Sequence, residues 1–434
     1  MSKAINSMHL PRLLYTCLFY FLTPFLFIRL YWRGFKNPSF RHRWAERVAW
    51  YKQPHLQEVI FFHAVSVGEV ESIFPLITRL LQQHPTRKIL ITTTTPTGSD
   101  RIKAVMGNRV EHVYLPYDLP IFIQRFLTHF KPKLAVMVET EIWPNLFALC
   151  AENAIPLFII NARLSESSYQ GYQKLAALTK PALAEVSLIA TQTQEDAMRF
   201  IAFTNDKNKV QTFGNIKFDS QFSAEFVAQG YKARANLFAG RFVWIIASTH
   251  RGEEAMFLHS YQQLKAHIPT LLLLIVPRNM ERFTEVENLC KKNNLHVVMR
   301  TTGKICTNDT DVYIADTMGE LKMLYATADV AFVGGSMVAV GGHNVLEPAA
   351  LGIPVMFGLY MHNFKAIASG ILAAQAAIQC QNQQQITDVL LRLYQQPNDR
   401  QLLAKKGKVF VQQNQGAIDK IVSQLDKFSE PFLG

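Results

Sequence analysis

Short apolar runs alternate with helix-period stretches along most of the chain, the pattern of a parallel sheet buried on both faces by crossing helices. Strands are predicted at 59–62, 89–93, 112–115, 134–138, 157–161, 188–191 and 210–212. A polar, less regular segment at 214–241 interrupts the rhythm, which restarts with strands at 242–247, 271–276, 296–298, 311–314, 330–333 and 355–357. Two Rossmann-like, doubly wound α/β domains facing a cleft are the economical reading, and 434 residues suffice for two cores. The boundaries follow: 1–36 an anchor and the start of a basic collar, 37–220 a first α/β domain, 221–434 a second.

The N-terminal pattern differs. Residues 13–28, LLYTCLFYFLTPFLFI, carry no charge, and seven basic residues against one acid follow at 29–52, a local net of +6 within an overall +12. An apolar run with a basic collar reads as a membrane anchor. It is short for a full span of about 20 residues and is interrupted by Pro24, so it either crosses the bilayer or lies in it. A cleaved signal would end in small residues, whereas bulky aromatic and basic ones follow here. The collar places the body on the cytoplasmic side, against an anionic membrane surface. Five cysteines without a CxxC pair imply neither disulfides nor a zinc site, and no nucleic-acid motif accompanies the positive charge.

In doubly wound sheets ligands sit beyond the carboxyl ends of the strands, so the residues after each strand are the candidates for chemistry. After the first come Ser66, Gly68 and Glu69; Glu69 is either an ordinary first-turn carboxylate or a general base. The loop at 92–100 offers Thr97 and Ser99 as helix caps, and LPYDLP at 115–120 reads as a rigid turn. Glu139 and Glu141 follow the fourth strand, more carboxylate than capping requires, and Arg163 follows the fifth. Lys217 stands alone on a strand-like stretch near the domain junction.

In the second half, Ser248 and Thr249 can cap a helix and present N–H groups to phosphate, and Pro277 with Arg278 ends a strand. Met318, Gly319 and Glu320 open another helix. The stretch at 329–358 joins a strand, a loop with Gly334, Gly335, Gly341 and Gly342, a short helix near Asn344 to Glu347, and a further strand. Its loop N–H groups suit an anionic ligand, while Asn344 and Glu347 also have the spacing of a capping box.

Taken in order, HAVSVGE, TTTTPTG, VETEIWPN, NARLS, GNIKFD, ASTHxGEE, VPR, DTMGEL and GGHNxLEPAAxGxPV resemble the blocks of the 3-deoxy-manno-octulosonic acid (Kdo) transferases of lipopolysaccharide synthesis, membrane-anchored glycosyltransferases of GT-B architecture. The resemblance spans essentially the whole chain. It implies inverting transfer of Kdo from CMP-Kdo to a lipid A precursor (lipid IVA) at the inner membrane, without metal or cofactor. Glu69 matches the proton acceptor, and Glu139 and Lys217 match transition-state stabilisers. Pro277, Arg278, Met318, Gly319, Glu320, Asn344, Val345, Leu346 and Glu347 match the segments that hold CMP, with Ser248, Thr249, Gly341 and Gly342 beside them. Ser66, Gly68, Glu141 and Arg163 fall on the acceptor side. The chain departs from the pattern at Asn279, Ala339 and Val345. A nucleotide-sugar epimerase of the same architecture is the alternative, and it needs no anchor; a membrane-tethered sensor has no use for the three charged positions.

Overall fold

A computed structural model describes residues 9–36, 38–52, 58–219, 224–238 and 240–429; the first eight residues of the expected anchor lie outside these. The chain divides into two units. The first contains seven parallel strands: β1 Ile60–His63, β2 Ile89–Thr93, β3 Glu111–Tyr114, β4 Leu134–Val138, β5 Leu157–Ala162, β6 Leu188–Thr191 and β7 Val210–Thr212. Their order is β3-β2-β1-β4-β5-β6-β7, so the chain reverses direction across the sheet between β1 and β4. The carboxyl ends of β1 and β4 therefore frame the first unit's switch point, where doubly wound sheets bind ligands.

The second unit repeats the plan with β8 Phe242–Thr249, β9 Leu271–Pro277, β10 Val297–Met299, β11 Val312–Ile314, β12 Val330–Val333, β13 Val355–Phe357 and β14 Ile378–Gln379. The order is β10-β11-β9-β8-β12-β13-β14, with its switch point between β8 and β12. Central strands such as LAVMV and LLLLIVP are buried at every position, which is why they read as unbroken apolar runs.

The predicted boundary put everything after 221 in the second domain, but the last helix, Ala417–Ser429, belongs to the first. Ala417, Ile418, Ile421, Val422 and Leu425 share a core with Ile60, Phe62 and Val70. Asp219 fixes the return, accepting from the Gly416 and Ile418 N–H groups at 2.6 Å each.

The N-terminal run forms one helix, Leu10–Lys36, with Pro24 inside it. One side docks on the first unit: Arg12 pairs with Glu152 at 3.1 Å, the Tyr15 hydroxyl donates to Asp118 at 3.0 Å, and Phe27 meets Tyr117 edge-on at 5.5 Å. Leu14, Leu18, Phe21, Phe25, Ile28, Trp32 and Phe35 are left exposed on the rest of its surface. The collar is not uniformly available to lipid, contrary to the sequence expectation. Arg43 and Arg47 fold inward against β2, β3 and Tyr114, and Arg47 is buried.

Candidate active site

At the first unit's switch point, Ser66 caps the helix Val67–Gln83 by accepting from the Glu69 N–H at 3.3 Å. The Glu69 carboxylate reaches back, accepting from the Val65 N–H and the Ser66 hydroxyl, both at 2.8 Å. The first-turn role and the chemical role thus coexist, because the capping bonds hold a half-buried carboxylate at the strand end. Burial pushes the Glu69 carboxyl above its usual range; the Ser66 and Val65 bonds oppose that, and Glu139 adds to it. Gly68 is exposed in the turn between Ser66 and Glu69.

Glu139 follows β4 with a left-handed backbone, φ 60°, a conformation that a side chain disfavours and that is held by its N–H bond to Ile160 at 2.9 Å. Its carboxylate lies 3.8 Å from Lys217 Nζ, and the two side chains are each 21% exposed. Lys217 comes from a 3-10 turn, Ile216–Asp219, rather than from the strand-like stretch expected. Asn161, at the end of β5, anchors that turn by accepting from the Ile216 N–H at 3.2 Å. Nothing in the sequence singled out Asn161, but it is buried and has φ 53°.

Glu141 completes a carboxylate trio. It accepts from Trp143 Nε1 at 2.9 Å, and the Trp143 ring stands edge-on to buried His63 at 5.4 Å. Burial raises its pKa to about 7, against the Trp143 bond and with help from Glu69 and Glu139. Three carboxylates with one lysine let one group ionise as a base while a neighbour titrates near neutrality. Arg163 is exposed; its carbonyl accepts from the Thr140 hydroxyl.

The second unit holds the remaining candidates, and several of them serve the fold differently from the sequence expectation. The glycine loop was expected to offer its N–H groups to an anion, and the protein uses them itself. Fully buried Glu253 accepts from Gly335 at 2.8 Å, Ser336 at 3.1 Å, and His250 and Met337 at 3.0 Å. Gly334 donates to Ala247 at 2.8 Å, and Gly341 and Gly342 donate to Gly335 at 3.2 and 2.8 Å. The anion that fills this nest is a side chain. The glycines are needed for fit: Gly342 has φ 73°, and a Cβ there would run into Met361 Sδ.

Asn344 and Glu347 do not form the expected capping box. Asn344 accepts from the Leu346 N–H two residues on, at 3.0 Å, and Glu347 lies 3.9 Å from Lys322. Buried Val345 precedes the short helix Leu346–Ala350. Ser248 and Thr249 end β8 instead of capping a helix, Ser248 with φ 57° and Thr249 with a buried hydroxyl that has no partner. Pro277 closes β9, and exposed Arg278 donates its N–H to the Thr249 carbonyl at 3.1 Å. Met318 is exposed, Gly319 has φ 88°, and Glu320 is held by Arg300 at 3.0 and 3.2 Å.

Two histidines join these residues. His250 and His343 stack with Nε2 atoms 2.9 Å apart and rings 7° from parallel. Burial, then Arg278 and His250, push His343 down to about 4, so it is a neutral hydrogen-bonding group beside a cation. The GGHN and STH motifs contained both residues; only their meeting across the β8–β12 switch point gives them meaning.

Comparison with known proteins follows the same lines. Residues 42–220 match the family described as 3-Deoxy-D-manno-octulosonic-acid transferase (kdotransferase). The 3-deoxy-D-manno-octulosonic acid transferase of Haemophilus influenzae is 38% identical over 425 residues, covering 96% of this chain and 99% of that protein. Among solved structures, the UDP-GlcNAc 2-epimerase of Neisseria meningitidis bound to UDP-GlcNAc aligns over 86% of this chain and 100% of its own, with a TM-score of 0.56 and 16% identity. Acinetobacter baumannii MurG aligns over 86% of this chain and 99% of its own, with a TM-score of 0.52 and 13% identity. Those two likenesses are of fold, the paired parallel α/β units of GT-B proteins.

Proposed function

The chain belongs to the 3-deoxy-D-manno-octulosonic acid (Kdo) transferase family, and on that premise we propose that it moves Kdo from CMP-Kdo to a lipid A precursor, lipid IVA, with inversion at the anomeric carbon. The observation that carries this reading is the Glu69, Glu139 and Lys217 grouping at the first switch point. Glu69 takes the proton from the acceptor hydroxyl as that oxygen attacks. Its raised pKa suits it to the task, because a stronger base accepts the proton more readily.

Glu139 and Lys217 stabilise the oxocarbenium-like transition state, the strained Glu139 backbone fixing where the pair's charge points. Ser66 and Gly68 shape the turn that aims Glu69, and Arg163, exposed beyond β5, is assigned to the acceptor. On the donor side, Arg278 meets the phosphate and neutral His343 hydrogen-bonds beside it; Ser248, Thr249, Pro277, Met318 to Glu320, Gly341, Gly342 and Asn344 to Glu347 shape the nucleotide's surroundings. CMP-Kdo is a co-substrate, and no cofactor is assigned.

The helix Leu10–Lys36 is the anchor. Its 26-residue stretch Leu10–Phe35 is long and apolar enough to cross a bilayer, but Arg12, Tyr15 and Phe27 all touch the first unit. A helix docked along its length on a folded domain lies in the interface, holding the body against the cytoplasmic face of the inner membrane.

Purified protein given radiolabelled CMP-Kdo and the lipid precursor is the test. Label should enter the lipid phase with release of CMP, while UDP-GlcNAc is left unepimerised. Epimerisation of UDP-GlcNAc, or no labelled lipid, overturns the assignment.

A further inference from the structure

Asp118 is a buried acid that the proposed chemistry does not use. It lies in the LPYDLP turn, is fully buried, and accepts from the Asn145 N–H at 3.0 Å, the Leu146 N–H at 2.8 Å and the Tyr15 hydroxyl at 3.0 Å. The first two donors are opening amides of the helix Pro144–Glu152, whose N-cap is Trp143. A helix start needs acceptors for those groups, and an indole has none to give. Asp118 supplies them from a distant turn. Asn145 ties the arrangement back, its Nδ2 donating to the Asp118 carbonyl at 2.8 Å. Two adjacent residues of the N-terminal helix complete the cluster: Tyr15 on Asp118, and Thr16, whose hydroxyl reaches Asn145 Oδ1 at 3.1 Å. Burial pushes the Asp118 carboxyl up to about 6, and the bonds from Asn145, Leu146 and Tyr15 oppose that.

What this cap holds is one wall of the proposed site. Glu139, Glu141 and Trp143 occupy the segment 139–143, between the end of β4 and the start of that helix. At its first residue the segment is pinned by the Glu139 N–H on the Ile160 carbonyl, and at its last by the capped helix. Trp143 in turn donates from Nε1 to Glu141 at 2.9 Å. A shift of the helix start therefore carries Trp143 with it, and the Glu141 carboxylate follows; a displacement of about 1 Å can cost about 10²-fold in rate. We propose that Asp118 is a positioning residue for Glu141 and that Tyr15 completes its hold, so that the N-terminal helix is part of the active-site framework as well as an anchor. This rests on the transferase reading, in which Glu141 falls on the acceptor side. The Arg12–Glu152 pair joins the same two helices at the far end of Pro144–Glu152 and has no such route to the segment.

The test uses the full chain in detergent micelles with dispersed lipid acceptor, where attachment to a bilayer plays no part. Tyr15→Phe should lower kcat for Kdo transfer by about 10-fold, with the KM for CMP-Kdo within about twofold. In a Glu141→Ala background the same change should cost less than about twofold, because the group being positioned is gone; a loss of stability alone would cost the same factor in both. Glu152→Gln, which breaks the other contact between the two helices, should leave kcat unchanged. A second measurement needs no activity: amide exchange at Asn145 and Leu146 should accelerate by about 10- to 100-fold in Tyr15→Phe, the worth of one hydrogen bond to a charged group. If Tyr15→Phe does not fold, Thr16→Val takes its place with the same expected pattern. An unchanged kcat, an equal loss in the Glu141→Ala background, or unchanged exchange overturns the positioning. Absence of transfer by the wild type would instead refute the transferase reading, and the exchange result would still decide whether the N-terminal helix holds this segment.

Discussion

Replacing Glu253 by Gln removes the anion at the centre of the second unit's glycine loop. Its two oxygens receive four backbone N–H groups, Oε2 those of His250 and Gly335, Oε1 those of Ser336 and Met337. Glutamine keeps one carbonyl oxygen and turns an NH₂ group toward two donors. Two hydrogen bonds to a charged group are lost, at roughly 1.5–3 kcal/mol each, so the loop should lose about 3–6 kcal/mol of local stability. Hydrogen exchange followed by mass spectrometry reads this directly at the amides of Gly335, Ser336 and Met337. Because about 1.4 kcal/mol is one decade, exchange there should accelerate by roughly 10²- to 10⁴-fold, with the β1–β4 core unchanged. Exchange within tenfold of wild type would mean that the loop does not depend on Glu253.

Four further results are expected. Glu69 titrates above the usual carboxylate range and must be ionised to act, so kcat/KM should rise with pH along an acid limb above that range. Glu139→Gln deletes the negative neighbour that helps to raise the Glu69 pKa, and so moves the limb to lower pH; a limb that moves up, or stays, refutes the coupling. Phe21→Glu with Phe25→Glu, both on the exposed side of the helix Leu10–Lys36, should release the protein from vesicles in a flotation assay at an unchanged Tm; retained binding refutes the in-plane anchor. Deleting residues 1–36 should also release it, but with a lower Tm, because Asp118, Glu152 and Tyr117 lose their partners.

The strands were legible because parallel strands are apolar throughout: 89–93, 134–138, 188–191 and 330–333 fall where predicted. The two-residue edge strand β14 left no such run. Glu69 and Glu139 were visible as charges set after apolar runs and Lys217 as a lone basic residue between apolar neighbours, and the structure brings Glu139 to Lys217. Tertiary chemistry was not visible. A glycine-rich loop looks the same whether its N–H groups await a ligand or receive Glu253, and only the fold distinguishes the two. The same holds for Asp118. It read as part of a rigid turn, yet it is buried, accepts from the Asn145 and Leu146 N–H groups at 3.0 and 2.8 Å, and binds Tyr15 of the N-terminal helix. Arg43 and Arg47 read as a solvated collar because sequence shows charge but not what faces it.

Glu69 as the proton acceptor is tested most directly by single-turnover transfer of radiolabelled Kdo from CMP-Kdo to the lipid precursor, comparing wild type with Glu69→Gln. Glutamine preserves the Val65 or Ser66 contact but cannot take a proton, so the rate should fall by about 10²- to 10⁴-fold while CMP-Kdo affinity stays within a few-fold. A Glu69→Gln rate within tenfold of wild type would contradict the assignment.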